Sequence, residues 1–322
     1  MKSTKLRGLR NTLAACAMLT CVSAGGAFAA ESTDPIRIAI NEWTGQNISA
    51  HIAGTLLKKA GYNVEYVTAG AVPQFAAIAQ GNLHLQPEVW DNNVGDIFPK
   101  AVKSGDIVQI GPLGLSPREG WIYPPYMEEK CPGLPAADAL IKCAQAFGSA
   151  ETFPKGRLIT YPADWGTRSK DLVANAGLPL QAIAGGSEGA MIAELKSAYA
   201  TKQPILMMFW APHWVHAEMK FNWVDLPADH ADCATDPKHG FDPGKTGDCG
   251  FAQANIGKIV WKGFKDKWPG AYKLVEMMTI DNETQNLMML EIDNKKRKLE
   301  EVVDEWAANN EATWKPWVDA AM

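Results

Sequence analysis

The feature that most constrains this chain is its alternation of short apolar runs with segments of helical spacing. Residues 36–40 (Ile-Arg-Ile-Ala-Ile) form a run of strand type. After a turn at 41–45, Ile48, Ile52, Leu56 and Leu57 recur at helical spacing and Gly61 stops the segment. Residues 64–67 read as a second strand, 73–80 as a helix closed by Gly81, and 83–89 as a third strand. A β-α-β-α-β order favours a largely parallel sheet covered by helices, which places the chain in the α/β class. The pattern breaks between about 111 and 153, where Pro, Gly and Cys accumulate, and restarts at 158–161. Residues 167–176 and 187–200 then read as helices, with Met191, Ile192 and Leu195 on one face of the second. Residues 205–209 are almost wholly apolar, as in a strand buried on both faces. A second irregular stretch runs over 229–250, and the chain ends in helical patterns that include 298–308. Two βα-rich blocks separated by loop-rich crossings suggest two lobes with a cleft between them. The expected division is 30–115 for the first lobe, 116–222 for the second, and 223–322 returning to the first with its cysteine loop.

The N-terminus reads as an export signal. Lys2, Lys5, Arg7 and Arg10 precede the apolar run 13–22, and Ala27-Phe28-Ala29 supplies a small-x-small cleavage pattern. The run is too short for a stable membrane anchor, so residues 1–29 are expected to be removed near Ala29 and the mature chain to reach the periplasm. Cysteine usage fits an oxidising compartment. Cys131, Cys143, Cys233 and Cys249 remain after cleavage and allow three pairings. The pairs that close the shortest loops, Cys131 with Cys143 and Cys233 with Cys249, are the expected ones. Loss of the signal leaves 27 of the 31 basic residues against 36 acidic ones, a net charge near −9. That balance excludes a nucleic-acid partner, which needs a basic footprint.

Tryptophan carries the functional signal. Of 12 tryptophans, Trp43, Trp90, Trp121, Trp165 and Trp210 sit just beyond apolar, strand-like runs, beside Gly, Pro, Asp or Asn. In an open α/β sheet this is the rim where ligands bind. Converging indole faces hold a methylated cation through their ring quadrupoles. Trp261, Trp268, Trp306, Trp314 and Trp317 lie in amphipathic or terminal segments and read as packing residues. Rim residues of this kind are expected to contribute little to the core.

These segments resemble the glycine betaine/choline/trimethylamine N-oxide group of periplasmic binding proteins, which deliver quaternary amines to ABC importers. The resemblance runs from about Ile36 to the C-terminus. It rests most on Gln86-Pro87-Glu88-Val89-Trp90, on Gly120-Trp121-Ile122-Tyr123-Pro124-Pro125-Tyr126, and on Phe209-Trp210-Ala211-Pro212-His213. It implies a type II periplasmic-binding fold, two βα lobes joined by a hinge with the ligand cleft between them. It also implies that Trp43 and Trp90 come from the first lobe and Trp121 and Trp210 from the second, with Trp165 a further wall. The implied protein is not an enzyme, needs no cofactor, works as a monomer, and partners a membrane permease.

The resemblance implies a small methylated amine as the ligand. Choline binders of the family carry an acidic residue two positions after the first-lobe tryptophan, where this chain has Gly45. Glycine betaine needs donors for its carboxylate, for which Arg168 at a helix start or His213 are available. Trimethylamine N-oxide suits a compact cage of indoles with one acidic residue, either Glu119 or Glu88, and is slightly favoured. Three alternatives stand beside this reading. Sugars also stack on aromatic faces, and the rim holds Asp91, Asn92, Asn93 and Asp164. Residues 185–189 match G-x-S-x-G, so a serine hydrolase is the second alternative, against the plainer reading that Ser187 caps a helix. Finally, Asp232, Asp236 and Asp242 lie in an oxygen-rich loop that could bind calcium, against the plainer reading of a solvated acidic loop held by a disulfide, since the spacing is not that of an EF-hand.

Overall fold

The computed structural model describes residues 31–92 and 94–322. The expected signal segment therefore lies outside the described residues. Along the chain come strand β1 (Ile36–Ile40), helix α1 (Thr44–Lys59), β2 (Val64–Thr68), α2 (Gln74–Ala79), β3 (Leu85–Trp90) and β4 (Ile107–Pro112). Next are β5 (Arg118–Tyr123), β6 (Pro132–Pro135), β7 (Gly156–Thr160), α3 (Arg168–Ala176), β8 (Leu180–Ala184), α4 (Glu188–Thr201), β9 (Met207–Ala211) and β10 (Asn222–Trp223). The C-terminal part holds β11 (Ile256–Trp261), α5 (Asn282–Met289), a π-helical turn (Leu290–Asn294) and α6 (Leu299–Asn309).

The strands form two five-stranded sheets, ordered β2-β1-β3-β11-β4 and β10-β5-β9-β7-β8. In the first, β1 pairs parallel with β2 and β3, while β11 runs antiparallel to β3 and β4. In the second, β7 pairs parallel with β8 and β9, while β5 runs antiparallel to β9 and β10. This is the expected two-lobed α/β architecture, each lobe carrying one mixed sheet. The chain crosses outward between β4 and β5. Asn282 braces this crossing, its Oδ1 accepting from the Ser116 amide at 2.8 Å and its Nδ2 donating to the Ser116 carbonyl at 3.0 Å.

The first core forms because α1 turns one apolar stripe inward. Ile48, Ile52, Leu56 and Leu57 are fully buried against Ile36 and Ile38 of β1. Each such side chain contributes on the order of 1.5–3 kcal/mol relative to exposure. Phe75 and Ile78 of α2 pack a second cluster with Val89 and Ile259 on the other face of that sheet.

The return to the first lobe comes later than residue 223. β10 pairs with β5 in the second sheet, and the loop after it stays there. Arg168 donates to the Gly250 carbonyl at 2.8 Å, Asn175 to the Gly247 carbonyl at 2.9 Å, and Lys245 to the Ala176 carbonyl at 3.2 Å. All three bonds tie the 229–250 loop to α3 or its C-terminal end, so only β11 and the helices after it rejoin the first lobe. A short, turn-rich loop docks on the nearest polar helix end, which no periodicity announces. Cys131 and Cys143 pair across 5.2 Å between Cα atoms, and Cys233 and Cys249 across 6.1 Å.

Candidate functional site

Where the two sheets face each other, four of the five rim tryptophans meet. Trp43 precedes α1, Trp90 ends β3, Trp165 lies in the turn after β7, and Trp210 lies in β9. The Trp165 ring stands edge-on to Trp43 at 5.1 Å and to Trp210 at 5.6 Å. Tyr161 completes this wall, 5.6 Å from both Trp165 and Trp210. With Glu88, Glu119, Gln74 and Phe75, these rings line a half-open cavity of about 50 Å³.

Two carboxyls border this space in different roles. Glu88 of β3 is 1% exposed and engaged on both oxygens. Its Oε1 accepts the indole N–H of Trp43 at 3.2 Å and of Trp90 at 3.0 Å. Its Oε2 accepts from the Ser49 hydroxyl at 2.6 Å and from Gln285 Nε2 at 2.8 Å. Burial pushes this carboxyl above the usual carboxylate range, and the four donors pull the other way. Glu88 therefore fixes the orientation of two of the rings that line the cavity. Gln285 reaches it from α5, and a side chain at Gly45 would meet Gln285 at 3.3 Å, so that position backs the hub.

Glu119 of β5 is half-buried and sits opposite Trp210 in the β5–β9 ladder. Its Oε1 accepts from the Tyr161 hydroxyl at 2.8 Å and its Oε2 from Asn92 Nδ2 at 2.5 Å. Burial raises its pKa as well, against those two bonds. Asn92 comes just after β3 in the first lobe, so this bond joins the lobes beside the cavity.

Below the rings lies a buried amide network. Gln86 donates to Asn41 Oδ1 at 2.8 Å, and Gln46 donates to Gln86 Oε1 at 2.8 Å. Asn41 donates in turn to Gln74 Oε1 at 3.1 Å. A network with each member bonded holds the α1 and α2 entries rigidly beneath the indoles.

Trp121 does not reach the cavity. It is fully buried, and its indole N–H donates to the Ser169 hydroxyl of α3 at 2.9 Å. The reason is strand direction. β5 is antiparallel to β9, so its N-terminal end carries Glu119 to the rim, and Trp121 lies two residues, about 7 Å, deeper. Nor are the rim rings all free of the core, since Trp210 is only 5% exposed.

The donors considered for a carboxylated ligand are engaged elsewhere. Arg168 holds Gly250 and lies 3.8 Å from Asp229, and His213 bonds Glu188. Ser187 caps α4, accepting from the Ala190 amide at 3.2 Å. Asp236 and Asp242 accept amides of their own turns, from Lys238 at 3.0 Å and Gly244 at 2.8 Å, and Asp232 lies 3.9 Å from His230. Tyr161, Gln74 and Asn92 are site residues that tryptophan position alone does not indicate. Tyr161 shares the signal, because it ends the 158–161 run just before Pro162.

Residues 34–309 match the family described as the substrate binding domain of ABC-type glycine betaine transport systems. The chain belongs to that family. Among its relatives, the trimethylamine N-oxide-binding protein of Pelagibacter ubique is 30% identical over 301 residues, covering 91% of this chain and 94% of the relative. The glycine betaine/carnitine transport binding protein GbuC of Listeria monocytogenes is 30% identical over 133 residues, 41% of this chain and 38% of the relative. The fold is also that of lactococcal OpuAC in its closed conformation with glycine betaine, at a TM-score of 0.69 and 20% identity over 88% of this chain and all of that one. A choline binding protein in complex with choline gives a TM-score of 0.72 at 15% identity, over 88% of this chain and 91% of its own. Family members of this kind are transport binding proteins rather than enzymes. Among the described residues, no helix is long and apolar enough to cross a membrane.

Proposed function

We propose that the protein is the exported binding component of an ABC importer for a small methylated amine, trimethylamine N-oxide ahead of glycine betaine and choline. The observation that carries this reading is the cavity walled by Trp43, Trp90, Trp165, Trp210 and Tyr161. A trimethylated nitrogen has no N–H to donate, and its charge is spread over methyl surfaces that pack against rings. Each well-placed face contributes on the order of 0.5–2 kcal/mol. The walls come from both sheets, so filling the cage and closing the lobes are one event, which a permease can recognise.

Size and polarity favour the N-oxide. A cavity this small, walled by rings, suits a compact ligand better than a longer one. An N-oxide oxygen needs a donor, and burial favours the protonated form of Glu119, whose hydroxyl would supply one. A betaine carboxylate needs more donors than Glu119 offers while Arg168 and His213 are engaged. Choline would need an ionised acceptor, which burial disfavours here. The Pelagibacter relative named for trimethylamine N-oxide supports the same choice. Glu88 is left out of the ligand contacts in this reading, because four donors, two ring N–H groups on Oε1 and Ser49 and Gln285 on Oε2, already occupy it.

The test is the pair Glu119→Gln and Glu119→Ala, titrated calorimetrically with trimethylamine N-oxide. Glutamine keeps a donor and is expected to bind within about tenfold of wild type. Alanine loses the donor and is expected to weaken binding by about tenfold to a hundredfold, as one charge-assisted bond is worth ~1.5–3 kcal/mol. Equal affinity in all three would remove Glu119 from the site.

A further inference from the structure

Beside the cage, a second polar group joins the lobes. Thr44 opens α1, and Trp43 before it has no side-chain acceptor to cap the helix. The orphaned Thr44 amide donates instead to Glu188 Oε2 at 2.8 Å, across from α4 of the other lobe. The Thr44 hydroxyl donates to Asp293 Oδ1 at 2.6 Å, and the Trp214 indole donates to Asp293 Oδ2 at 2.9 Å. His213 Nδ1 accepts from the Val215 amide at 3.2 Å, which leaves the proton on Nε2 to donate to Glu188 Oε1 at 3.2 Å. Glu188 and His213 are buried and Asp293 half-buried, with their polar atoms within 4.8 Å of one another. Every one of those atoms carries a hydrogen-bond partner, so the group is a latch and not an open cation site.

We propose that Glu188 is a positioning residue for ligand binding, latching the closed lobes through Thr44 and Asp293 and making closure proton-dependent. This rests on the proposed ligand reading only for the choice of titrant. The latch touches the cage from both sides: Thr44 adjoins Trp43, and the His213 ring stands edge-on to Trp210 at 5.0 Å. The groups facing Glu188 are His213 after β9, Asp293 of the π-helical turn and the start of α1. Lys196, two turns along α4, lies 4.6 Å over the Trp214 ring and 3.3 Å from Asn294. Two carboxyls with a neutral imidazole between lobes cannot both ionise cheaply, and one proton is retained. Burial pushes Glu188 up to about 7 from 4.5, raises Asp293, and lowers His213 to about 3, which keeps the ring neutral.

Linkage sets the sign. A carboxyl whose closed-state pKa is raised favours closure when protonated, and that contribution is lost as pH rises towards about 7. Between pH 6 and pH 8 this amounts to about a tenfold loss of affinity. The experiment measures Kd for trimethylamine N-oxide at both pH values in wild type, Glu188→Gln and Asp293→Asn, with thermal unfolding to confirm folding. Asp293→Asn is the safer variant, since its amide still serves Trp214 and Thr44. The expected result is a ratio of Kd values about tenfold smaller in Glu188→Gln than in wild type, and reduced by less in Asp293→Asn, where buried Glu188 still titrates. Small-angle scattering of the ligand-free protein is expected to show a more compact wild type at pH 6 than at pH 8, with the difference lost in Glu188→Gln and reduced in Asp293→Asn. A wild-type slope in both variants, by either method, overturns the latch. No binding of any methylated amine by wild type overturns the ligand reading instead, and scattering then decides the latch.

Discussion

Trp90 is the residue at which the cage is best tested. It is half-buried, it ends β3, and one hydrogen bond to Glu88 sets its plane. Trp90→Ala is expected to weaken ligand binding about three- to thirtyfold, the effect of one ring face, while the protein stays folded by circular dichroism. Trp210→Ala is a poorer probe. That ring stacks on Phe209 at 4.5 Å and abuts Tyr161, so its removal is expected to cost ~3–5 kcal/mol of stability and to confound any binding result. Position relative to strand ends made the indoles legible, because their neighbours Gly, Pro, Asp and Asn mark where strands give way to loops. The division of labour between Glu88 and Glu119 was not legible. Both are acids beside tryptophan and both line the cavity, and only their donors separate them, four around Glu88 with two of them indole N–H groups, and two around Glu119.

Among the elements, β5 shows most clearly how direction decides exposure. A strand whose direction is unknown can present either end to the rim. Taking its C-terminal side as the rim pointed to Trp121, whereas antiparallel pairing with β9 brings Glu119 there and sends Trp121 under α3. Trp121→Phe is accordingly expected to lower the melting temperature, by loss of the Ser169 bond worth ~1 kcal/mol, and to leave Kd within about twofold. The start of α4 shows the opposite case, where local chemistry was readable. Ser187 accepts from the Ala190 amide, as a capping serine should. Ser187→Ala is expected to destabilise the fold by ~0.5–2 kcal/mol with ligand affinity unchanged, measured by denaturant unfolding and calorimetry. The helix-spaced runs gave α1, α3 and α4 to within a residue or two, because their apolar stripes face a sheet. The docking of the 229–250 loop on α3 was not legible, since three hydrogen bonds to carbonyls leave no pattern in side-chain polarity.

Across the whole molecule, two mixed sheets face each other, and the chain crosses between them after β4 and again before β11. Both sheets contribute walls to one cavity, and Asn92–Glu119 and Thr44–Glu188 tie them at its edge. The alternation of strands and helices foretold the two lobes, whereas these ties join residues too distant in sequence for any local pattern to show. Binding is therefore expected to change shape and fluorescence together. The most direct test titrates the mature protein with trimethylamine N-oxide, glycine betaine and choline, by calorimetry alongside intrinsic tryptophan emission. The expected result is tightest binding of trimethylamine N-oxide, in the micromolar range or below, with a spectral change at saturation. Silence with all three, or glycine betaine binding more tightly than the N-oxide, would contradict a compact indole cage with a buried acid at its polar end.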